Sequence, residues 1–471
     1  MKHYISRRSF IAKTALAGGG LFLSNSLLGS INFAGANERV NLACIGIGYR
    51  GADIIKDLYK TGLCNIVALC DVDMGAKHTE EILKMFPNAK RFQDFRKMFD
   101  AMANEIDAVS IGTPDFAHFA MTMMAMDLGK HVYVEKPMAH TFYENELLMQ
   151  KAEKFSKVVT QMGNQGHSEA NYFQFKAWEE KGIIKDVTRI DAHMNMPRRW
   201  HSWDINMKNF PNPENIPGTI DWDLWQMHTN GHMYNKDFVN GQWRCWYDFG
   251  MGALGDWGAH ILDTAHEFLE LGLPHRVEAI KLDGHNSFFF PMSSTLKFKF
   301  AKRKGHPAMD INWYDGLDNL PPIPEGYGVS GLDPNIPPPS TGQLQPVKLN
   351  PGKIIYSKDL IFKGGSHAST LQIIPEEKAI ALASRLPVVS ATPSNHFKNF
   401  LLACKGQEKT RSPFSIAGPL SQVFCLGVIA QRLNTQFDFD SKKKEITNNQ
   451  FANSLLIGPP PTKGWEQYYK V

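Results

Sequence analysis

The chain has 471 residues, of which 43% are hydrophobic and 21% charged, and this composition excludes a largely disordered protein. Its formal net charge is only +4, which excludes the dense basic surface that is typical of nucleic-acid-binding proteins. The length is sufficient for two or three domains.

The basic surplus lies in the first 36 residues, which hold four Lys or Arg side chains and no acidic residue, while the remaining chain has 47 of each sign. S-R-R-S-F-I at 6–11 is a twin-arginine pattern, and a weakly apolar run follows at 15–28. This run is too short to span a bilayer core, which needs about 20 residues. With A-G-A at 34–36, the pattern predicts a removable export signal at 1–36, a periplasmic location in a Gram-negative bacterium and no stable membrane insertion. An ordinary N-terminal helix is the alternative.

The next segment, 38–165, predicts a dinucleotide-binding domain. An apolar strand at 40–45 leads into a G-x-G-x-x-G motif, and helical spacing follows at 52–60. The glycines permit a tight turn, close approach of a pyrophosphate and packing of the helix on the strand, and the helix N-terminus offers unpaired N–H groups to phosphates. The residues of this predicted cofactor loop are Gly46, Gly48, Tyr49, Arg50 and Gly51.

A second strand, 65–70, ends at Asp71, twenty residues after the last motif glycine. A carboxylate at this position accepts the ribose hydroxyls of adenosine and repels a 2′-phosphate, so the sequence predicts NAD and makes NADP the less favoured cofactor. The alternative is a plain strand-end or helix-capping residue. Strands and helices continue to alternate at 106–111, 116–128, 131–134, 141–155 and 158–162. This alternation indicates a doubly wound parallel sheet.

These motifs resemble those of the glucose–fructose oxidoreductase / inositol dehydrogenase / rhizopine-catabolism (Gfo/Idh/MocA) family. Besides the glycines and Asp71, the resemblance rests on T-P-D at 113–115 with His118, E-K-P at 135–137, and G-A-L-x-D-x-x-x-H-x-x-D at 252–263. It implies an α/β protein with an N-terminal Rossmann domain and, at 166–471, an α/β domain with an open, mostly antiparallel sheet. It also implies a nicotinamide cofactor and sugar-like substrates. Further predicted cofactor contacts are Thr113, Pro114, His118, Glu135, Lys136 and Asn164.

The resemblance further implies that Lys136 orients a substrate hydroxyl and assists proton transfer, that His260 is the main acid/base, and that Asp256 is its partner or a substrate ligand. Asp256 and His260 share one face if 253–269 is a single helix, with Asp263 one turn further along. A carboxylate beside an imidazole raises the pKa of the histidine. A satisfied core histidine with a capping aspartate is the alternative. No metal is predicted, because only Asp263 supplies a third ligand at helical spacing.

Eight of the ten tryptophans lie between 178 and 257. Aromatic rings stack on the C–H faces of sugars, while arginine and aspartate bind hydroxyls, so we predict a carbohydrate cleft in this region. The predicted substrate contacts are Arg199, Trp200, Trp243, Arg244 and Asp263. At least half of the tryptophans are expected to be core or interface residues instead.

The remaining chain predicts a strand at 295–300 in an antiparallel sheet and an extended proline-rich loop at 321–351. Helices are predicted at 396–403 and 419–432, the second one amphipathic. Since an open sheet face often pairs subunits in this family, the resemblance also implies a homo-oligomer, either a dimer or a tetramer.

The predicted function is NAD(P)-dependent hydride transfer at a ring hydroxyl carbon of a sugar or sugar derivative. Because free NAD is scarce outside the cytoplasm, an exported enzyme must hold its cofactor tightly and regenerate it in place. One alternative resembles the NAD-dependent α-N-acetylgalactosaminidases, which cleave a glycoside by transient oxidation, elimination, hydration and reduction. Another is a non-catalytic sugar-binding protein, against which the presence of Lys136, Asp256 and His260 argues.

Overall fold

The computed structural model describes residues 38–196, 203–229, 231–327, 349–389 and 393–471. The predicted export signal, the predicted substrate contacts Arg199 and Trp200, and most of the proline-rich segment therefore lie outside the described residues.

Six parallel strands form the first sheet, in the order β3-β2-β1-β4-β5-β6. The strands are β1 Val40–Ile45, β2 Cys64–Cys70, β3 Lys90–Phe92, β4 Ala108–Ile111, β5 His131–Val134 and β6 Thr160–Met162. The connecting helices are α1 Tyr49–Lys60, α2 Glu80–Met85, α3 Phe95–Met102, α4 His118–Asp127 and α5 Phe142–Lys154. The strand order reverses between β1 and β4, and ligands of doubly wound sheets bind at the carboxyl ends of such strands. The predicted Rossmann architecture is confirmed.

Nine strands form the second sheet, in the order β13-β12-β11-β7-β10-β9-β8-β14-β15. The strands are β7 Val187–Met194, β8 Arg276–Asp283, β9 Ser293–Phe300, β10 Met309–Asp315, β11 Gly352–Ser357, β12 Ile361–Gly365, β13 Gln372–Ile374, β14 Gln436–Asp440 and β15 Glu445–Ile446. β7 and β10 run parallel, while the neighbouring pairs β9–β10 and β7–β11 run antiparallel. The sheet is mixed and mostly antiparallel, as predicted.

The helices of the second half of the chain are α6 Ala170–Glu180, α7 Trp222–Gln226, α8 Gly252–Ile261, α9 Asp263–Phe268, α10 Glu376–Leu382, α11 His396–Cys404, α12 Phe414–Leu433 and α13 Gln450–Ser454. One of them completes the first domain. Phe397 and Phe400 of α11 lie with their ring centroids 5.8 and 5.6 Å from that of Tyr133 on β5. The hydrophobic core beneath β1 also includes Leu401 of this helix. The Rossmann unit is therefore not built from residues 38–165 alone.

The stretch predicted as one helix over 253–269 is divided into α8 and α9 at Leu262. Asp263 begins the second helix, and its Oδ1 accepts a hydrogen bond from the Thr264 N–H at 2.8 Å. A short aspartate side chain competes in this way with helical backbone bonding. The division keeps Asp256 and His260 on one helix but directs Asp263 to a different set of neighbours.

Helix α12 begins five residues before the predicted start at 419, with Pro419 inside it. It is also not amphipathic, because 14 of its 20 residues are buried. A Cβ at Gly418 would press on Met149 of α5, and one at Gly427 would press on Leu254 of α8. Among the described residues this is the one helix long and apolar enough to cross a membrane, with 83% of its apolar window buried within the protein. Packing on both sides accounts for its apolar composition.

Candidate active site

The G-x-G-x-x-G loop between β1 and α1 forms a cradle that side chains would fill. Gly46 has a φ of +77°, and a Cβ there would lie 2.7 Å from the carbonyl oxygen of Gly112. A Cβ at Gly48 would overlap the ring of His78, and one at Gly51 would overlap the carbonyl oxygen of Gly46. Among the described residues, no side chain caps the N-terminus of α1. Its unpaired N–H groups fit a pyrophosphate, so the residues present fit a dinucleotide.

Asp71 lies at the carboxyl end of β2, beside this loop. Its Oδ2 accepts a hydrogen bond from the Ile47 N–H and its Oδ1 one from the Asp73 N–H, both at 3.0 Å. Burial raises the pKa of the Asp71 carboxyl, and these two hydrogen bonds act against that increase. The carboxylate lines the cleft at the place where the sequence predicts a ribose contact.

The cleft has a cavity volume of about 260 Å³ and lies between the strand ends of the first sheet and residues of the segment 220–244, which we call the cover segment. The Asp221 N–H donates to the carbonyl oxygen of Val72 at 2.9 Å, so the cover segment is attached to the first domain. Trp243, predicted as a substrate contact, lines this cleft. The Arg244 guanidinium carbon lies 4.0 Å from the Trp243 ring centroid.

Lys136, which lines the cleft, makes a direct contact with Asp256 of the second domain. The Lys136 Nζ donates to the Asp256 Oδ1 at 2.5 Å and to the Asp256 carbonyl oxygen at 2.9 Å. The two side chains are only 11% and 7% exposed. Arg244 Nε lies 3.8 Å from the same carboxylate oxygen, and Arg50 pairs with Glu135 at 3.2 Å. Three predicted motifs thus meet at one point.

His260 departs from the predicted electrostatics. Its ring stacks on the ring of His367, with centroids 4.0 Å apart. Burial, followed by the positive charge of Lys136 and the presence of His367, lowers the pKa of His260 well below its ordinary value. Asp256 does act to raise the pKa of His260, as expected, but burial and the charge of Lys136 outweigh the carboxylate, so the pKa is lowered overall. Within the described part of the chain, His260 Nδ1 is buried without a hydrogen-bond partner, and the lowered pKa means that the imidazole is neutral at neutral pH.

His367 was not predicted from the sequence. It follows β12 in a turn where its φ is +53°, and its N–H donates to the carbonyl oxygen of His260 at 2.9 Å. A Cβ at Gly166 would lie 2.8 Å from the His367 backbone, so the absence of a side chain at Gly166 permits this approach. No spacing or composition pattern predicts His367 as a site residue, because it comes close to His260 only through the pairing of the strands that precede it.

Asp115 is a second residue that sequence reasoning missed, although it lies inside the T-P-D motif. It is buried and lines the cleft, and its Oδ2 accepts a hydrogen bond from the Met251 N–H at 3.1 Å. Burial raises the pKa of Asp115 to about 7, while Arg244 and Lys136 limit the increase. A proton can therefore reside on this carboxyl near neutral pH.

Comparison with known proteins gives the family. Residues 40–163 match the family model of an oxidoreductase family with an NAD-binding Rossmann fold, and residues 184–286 match the model of the C-terminal α/β domain of that family. The chain belongs to the Gfo/Idh/MocA family. The predicted family and fold class are both confirmed.

Individual relatives include enzymes that act on sugars and cyclitols. The chain is 25% identical over 258 residues to an α-N-acetylgalactosaminidase of Shewanella oneidensis, covering 49% of this chain and 53% of the relative. It is 27% identical over 202 residues to the scyllo-inositol 2-dehydrogenase (NADP(+)) IolW of Bacillus subtilis, covering 43% and 44%. The chain thus spans about half the length of the curated relatives it matches.

A solved structure shares the fold across the whole of its length. The aldose-aldose oxidoreductase of Caulobacter crescentus, complexed with glycerol, is 14% identical with a TM-score of 0.52, covering 85% of this chain and 100% of that chain. In this chain the fold places the glycine loop and Lys136 on one cleft, and Lys136 contacts Asp256 of α8.

Two predicted family residues lie farther from the cleft surface. His118 is fully buried, with its Nδ1 2.8 Å from the Pro137 carbonyl oxygen and its Nε2 2.9 Å from that of Thr113. It supports the two turns from behind, while Thr113 and Pro114 line the cleft.

The other is Asn164, which contacts Asp263 at 3.4 Å in a buried polar network. In the same network, His167 Nδ1 lies 3.2 Å from Asp263 Oδ2, and its Nε2 lies 2.5 Å from Glu267 Oε2. Asp263, predicted as a substrate contact, is thus engaged by protein groups at the domain crossover.

Proposed function

We propose that this member of the Gfo/Idh/MocA family is an NAD-dependent oxidoreductase that acts at a ring hydroxyl carbon of a sugar or sugar derivative and keeps its cofactor bound. The observation that carries the proposal is that Lys136, which contacts Asp256, lines the same cleft as the glycine loop. A dehydrogenase needs a proton-handling group beside its dinucleotide site.

The chain's own residues manage the substrate hydroxyl. A bound nicotinamide would supply the hydride acceptor for the substrate carbon. Lys136 donates to the hydroxyl oxygen and orients it, while Asp256 fixes the lysine. His260, kept neutral by burial and by Lys136, accepts the hydroxyl proton. Asp115 lies near the positive charges of Arg244 and Lys136. Its carboxyl offsets these charges while the hydroxyl proton is transferred.

The choice of cofactor and its retention are supported by the walls of the cleft. Asp71 and Asp73 line its adenosine end, and their negative charge disfavours a 2′-phosphate. The cover segment encloses the opposite side and is bonded to Val72. An enclosed cofactor suits a protein that works after export. Export is therefore part of the proposal.

The test begins with protein purified without added nicotinamide. We expect denatured protein to release NAD rather than NADP, and an added sugar to change the absorbance at 340 nm. Lys136→Met and His260→Ala should lose sugar turnover by at least about 100-fold while retaining NAD. Lys157→Met, which alters an exposed lysine, is the matched control. Full activity of either site variant would refute the assigned roles, and protein without bound cofactor would refute its retention.

The stacked histidines favour glycoside cleavage as a second candidate function. Transient oxidation of a ring hydroxyl acidifies the neighbouring C–H, removal of that proton expels the glycosidic oxygen, and hydration with reduction restores the sugar. This route needs one proton acceptor for the hydroxyl and another for the C–H bond. The pair His260–His367 lies beside Lys136–Asp256 and supplies two such sites, and one relative is an α-N-acetylgalactosaminidase.

Aryl glycosides separate the two candidates. Release of the aryl alcohol from an aryl α-N-acetylgalactosaminide without net formation of NADH would establish the second function. Net NADH formation from a reducing sugar, with the aryl glycoside intact, would establish the first.

A further inference from the structure

Lys353 is a buried lysine in the middle of the second sheet. It lies on β11, opposite Ala192 of β7 and Gly364 of β12, and is only 2% exposed. Burial lowers the pKa of Lys353 to about 8, while Asp263 acts to raise it. The side chain thus lies within electrostatic reach of the network at the start of α9.

Among the described residues, Asp263 is the one carboxylate that raises the pKa of Lys353, and it does so through its charge, without a hydrogen bond to the ammonium group. The carboxylate of Asp263 is already engaged by His167 at 3.2 Å, by Asn164 at 3.4 Å and by the Thr264 N–H at 2.8 Å. A buried ammonium without a direct partner destabilises a fold, and such groups are concentrated at functional sites.

The structure connects Lys353 to the active site. Gly364, its partner on β12, lies three residues before His367, which stacks on His260. Asn164 and Gln165 directly precede Gly166, which packs on the His367 backbone. Within the described part of the chain, Asn164 Oδ1 and Gln165 Oε1 are buried without hydrogen-bond partners. The region therefore presents two acceptor oxygens, the unpartnered Nδ1 of His260 and one ammonium.

We propose that Lys353 is an anion-binding residue of the substrate site, and that the sugar substrate carries a carboxylate or a sulfate group. The ammonium binds the anionic group, and the amide oxygens of Asn164 and Gln165 accept hydrogen bonds from ring hydroxyls. Lys353 lies beyond the region that matches the C-terminal family domain, 184–286. The inference rests on the proposed function, because it assigns a substrate class to the same site.

Binding to the purified holoprotein tests the proposal by isothermal titration calorimetry. The probes are glucuronate and galacturonate, glucose 6-sulfate, and the neutral sugars glucose and galactose. We expect at least one anionic sugar to bind about tenfold or more tightly than its neutral counterpart, since a hydrogen bond to a charged group contributes that much. Lys353→Met, which preserves length and removes a buried charge, should abolish the difference. Lys358→Met alters an exposed lysine beyond the same strand and should preserve it.

The outcomes separate this proposal from the proposed function. Equal affinities for anionic and neutral sugars in the wild type would overturn the role of Lys353, whatever the enzyme does with them. Binding of an anionic sugar that depends on Lys353, without change at 340 nm or glycoside cleavage, would keep the subsite and refute the proposed chemistry. Lys353→Gln serves as a second variant if Lys353→Met does not fold, and an undiminished preference for the anionic sugar in either variant would overturn the proposal.

Discussion

Replacement of His167 tests the buried network that fixes Asp263. Both ring nitrogens contact carboxylates, at 3.2 Å for Asp263 and 2.5 Å for Glu267, and the His167 side chain is 1% exposed. Burial by itself would lower the pKa of His167, but the hydrogen bonds and charges of Asp263 and Glu267 outweigh burial and raise the pKa to about 9. The folded protein therefore holds an imidazolium here at neutral pH.

The contribution to stability follows from the pKa values of the folded and unfolded states. One pH unit corresponds to about 1.4 kcal/mol, so the difference between about 9 in the fold and about 6.5 in the unfolded chain gives about 3 kcal/mol. Because the folded pKa is the higher one, this contribution is fully present below pH 6.5 and is lost as the pH rises towards 9. His167→Gln should lower the free energy of unfolding by about 3 kcal/mol at pH 6.5 and flatten its decline between pH 6.5 and 9.

Urea unfolding at pH 6.5, 7.5 and 9, followed by tryptophan fluorescence, measures both effects. His266→Gln is the matched control, since burial lowers the pKa of His266 to about 4 and its loss changes the stability difference between pH 6.5 and 9 by less than about 1 kcal/mol. If the His167→Gln protein loses stability between pH 6.5 and 9 as steeply as the wild type does, the assignment of an imidazolium is wrong.

Two further predictions concern the cleft. Gly51→Ala should yield protein without bound NAD, because the new Cβ would overlap the Gly46 carbonyl oxygen. Gly218→Ala is the control and should retain NAD, because no atom lies within 4 Å of its new Cβ. The amount of NAD released on denaturation measures the difference. Because the pKa of Asp115 is about 7, the pH profile of kcat/KM should change near pH 7. Asp115→Asn preserves an acceptor for the Met251 N–H but cannot titrate, so this change should disappear. If it persists in the variant, it belongs to another group.

The cofactor half of the site could be predicted from the sequence because its requirements are local. The glycine loop and Asp71 depend on a single strand, a turn and a helix, and the structure places all of them on one cleft. The contact between Lys136 and Asp256, which are 120 residues apart, was not predicted: the family motif names both residues as site residues, but the sequence predicts Asp256 as the partner of His260 or a substrate ligand.

The remaining site residues depend on contacts that no sequence pattern encodes. His367 and Lys353 reach the site through the pairing of β11 with β12, and strand register does not follow from the spacing of either residue. The direction of the His260 pKa depends on burial and on Lys136, whereas the sequence shows only the aspartate four residues earlier. Pro419 was read as the start of a helix that begins at Phe414, because a proline near a helix start is common.

The cover segment has a thermodynamic consequence for the whole molecule. A ligand in the cleft touches the strand ends of one domain and residues 220–244 of the other, so its binding energy also holds the domains together. Each tenfold excess of ligand over its Kd adds about 1.4 kcal/mol to that association. The hydrogen bond between the Asp221 N–H and the Val72 carbonyl oxygen joins the same two domains, so ligand and cover segment stabilise one interface together.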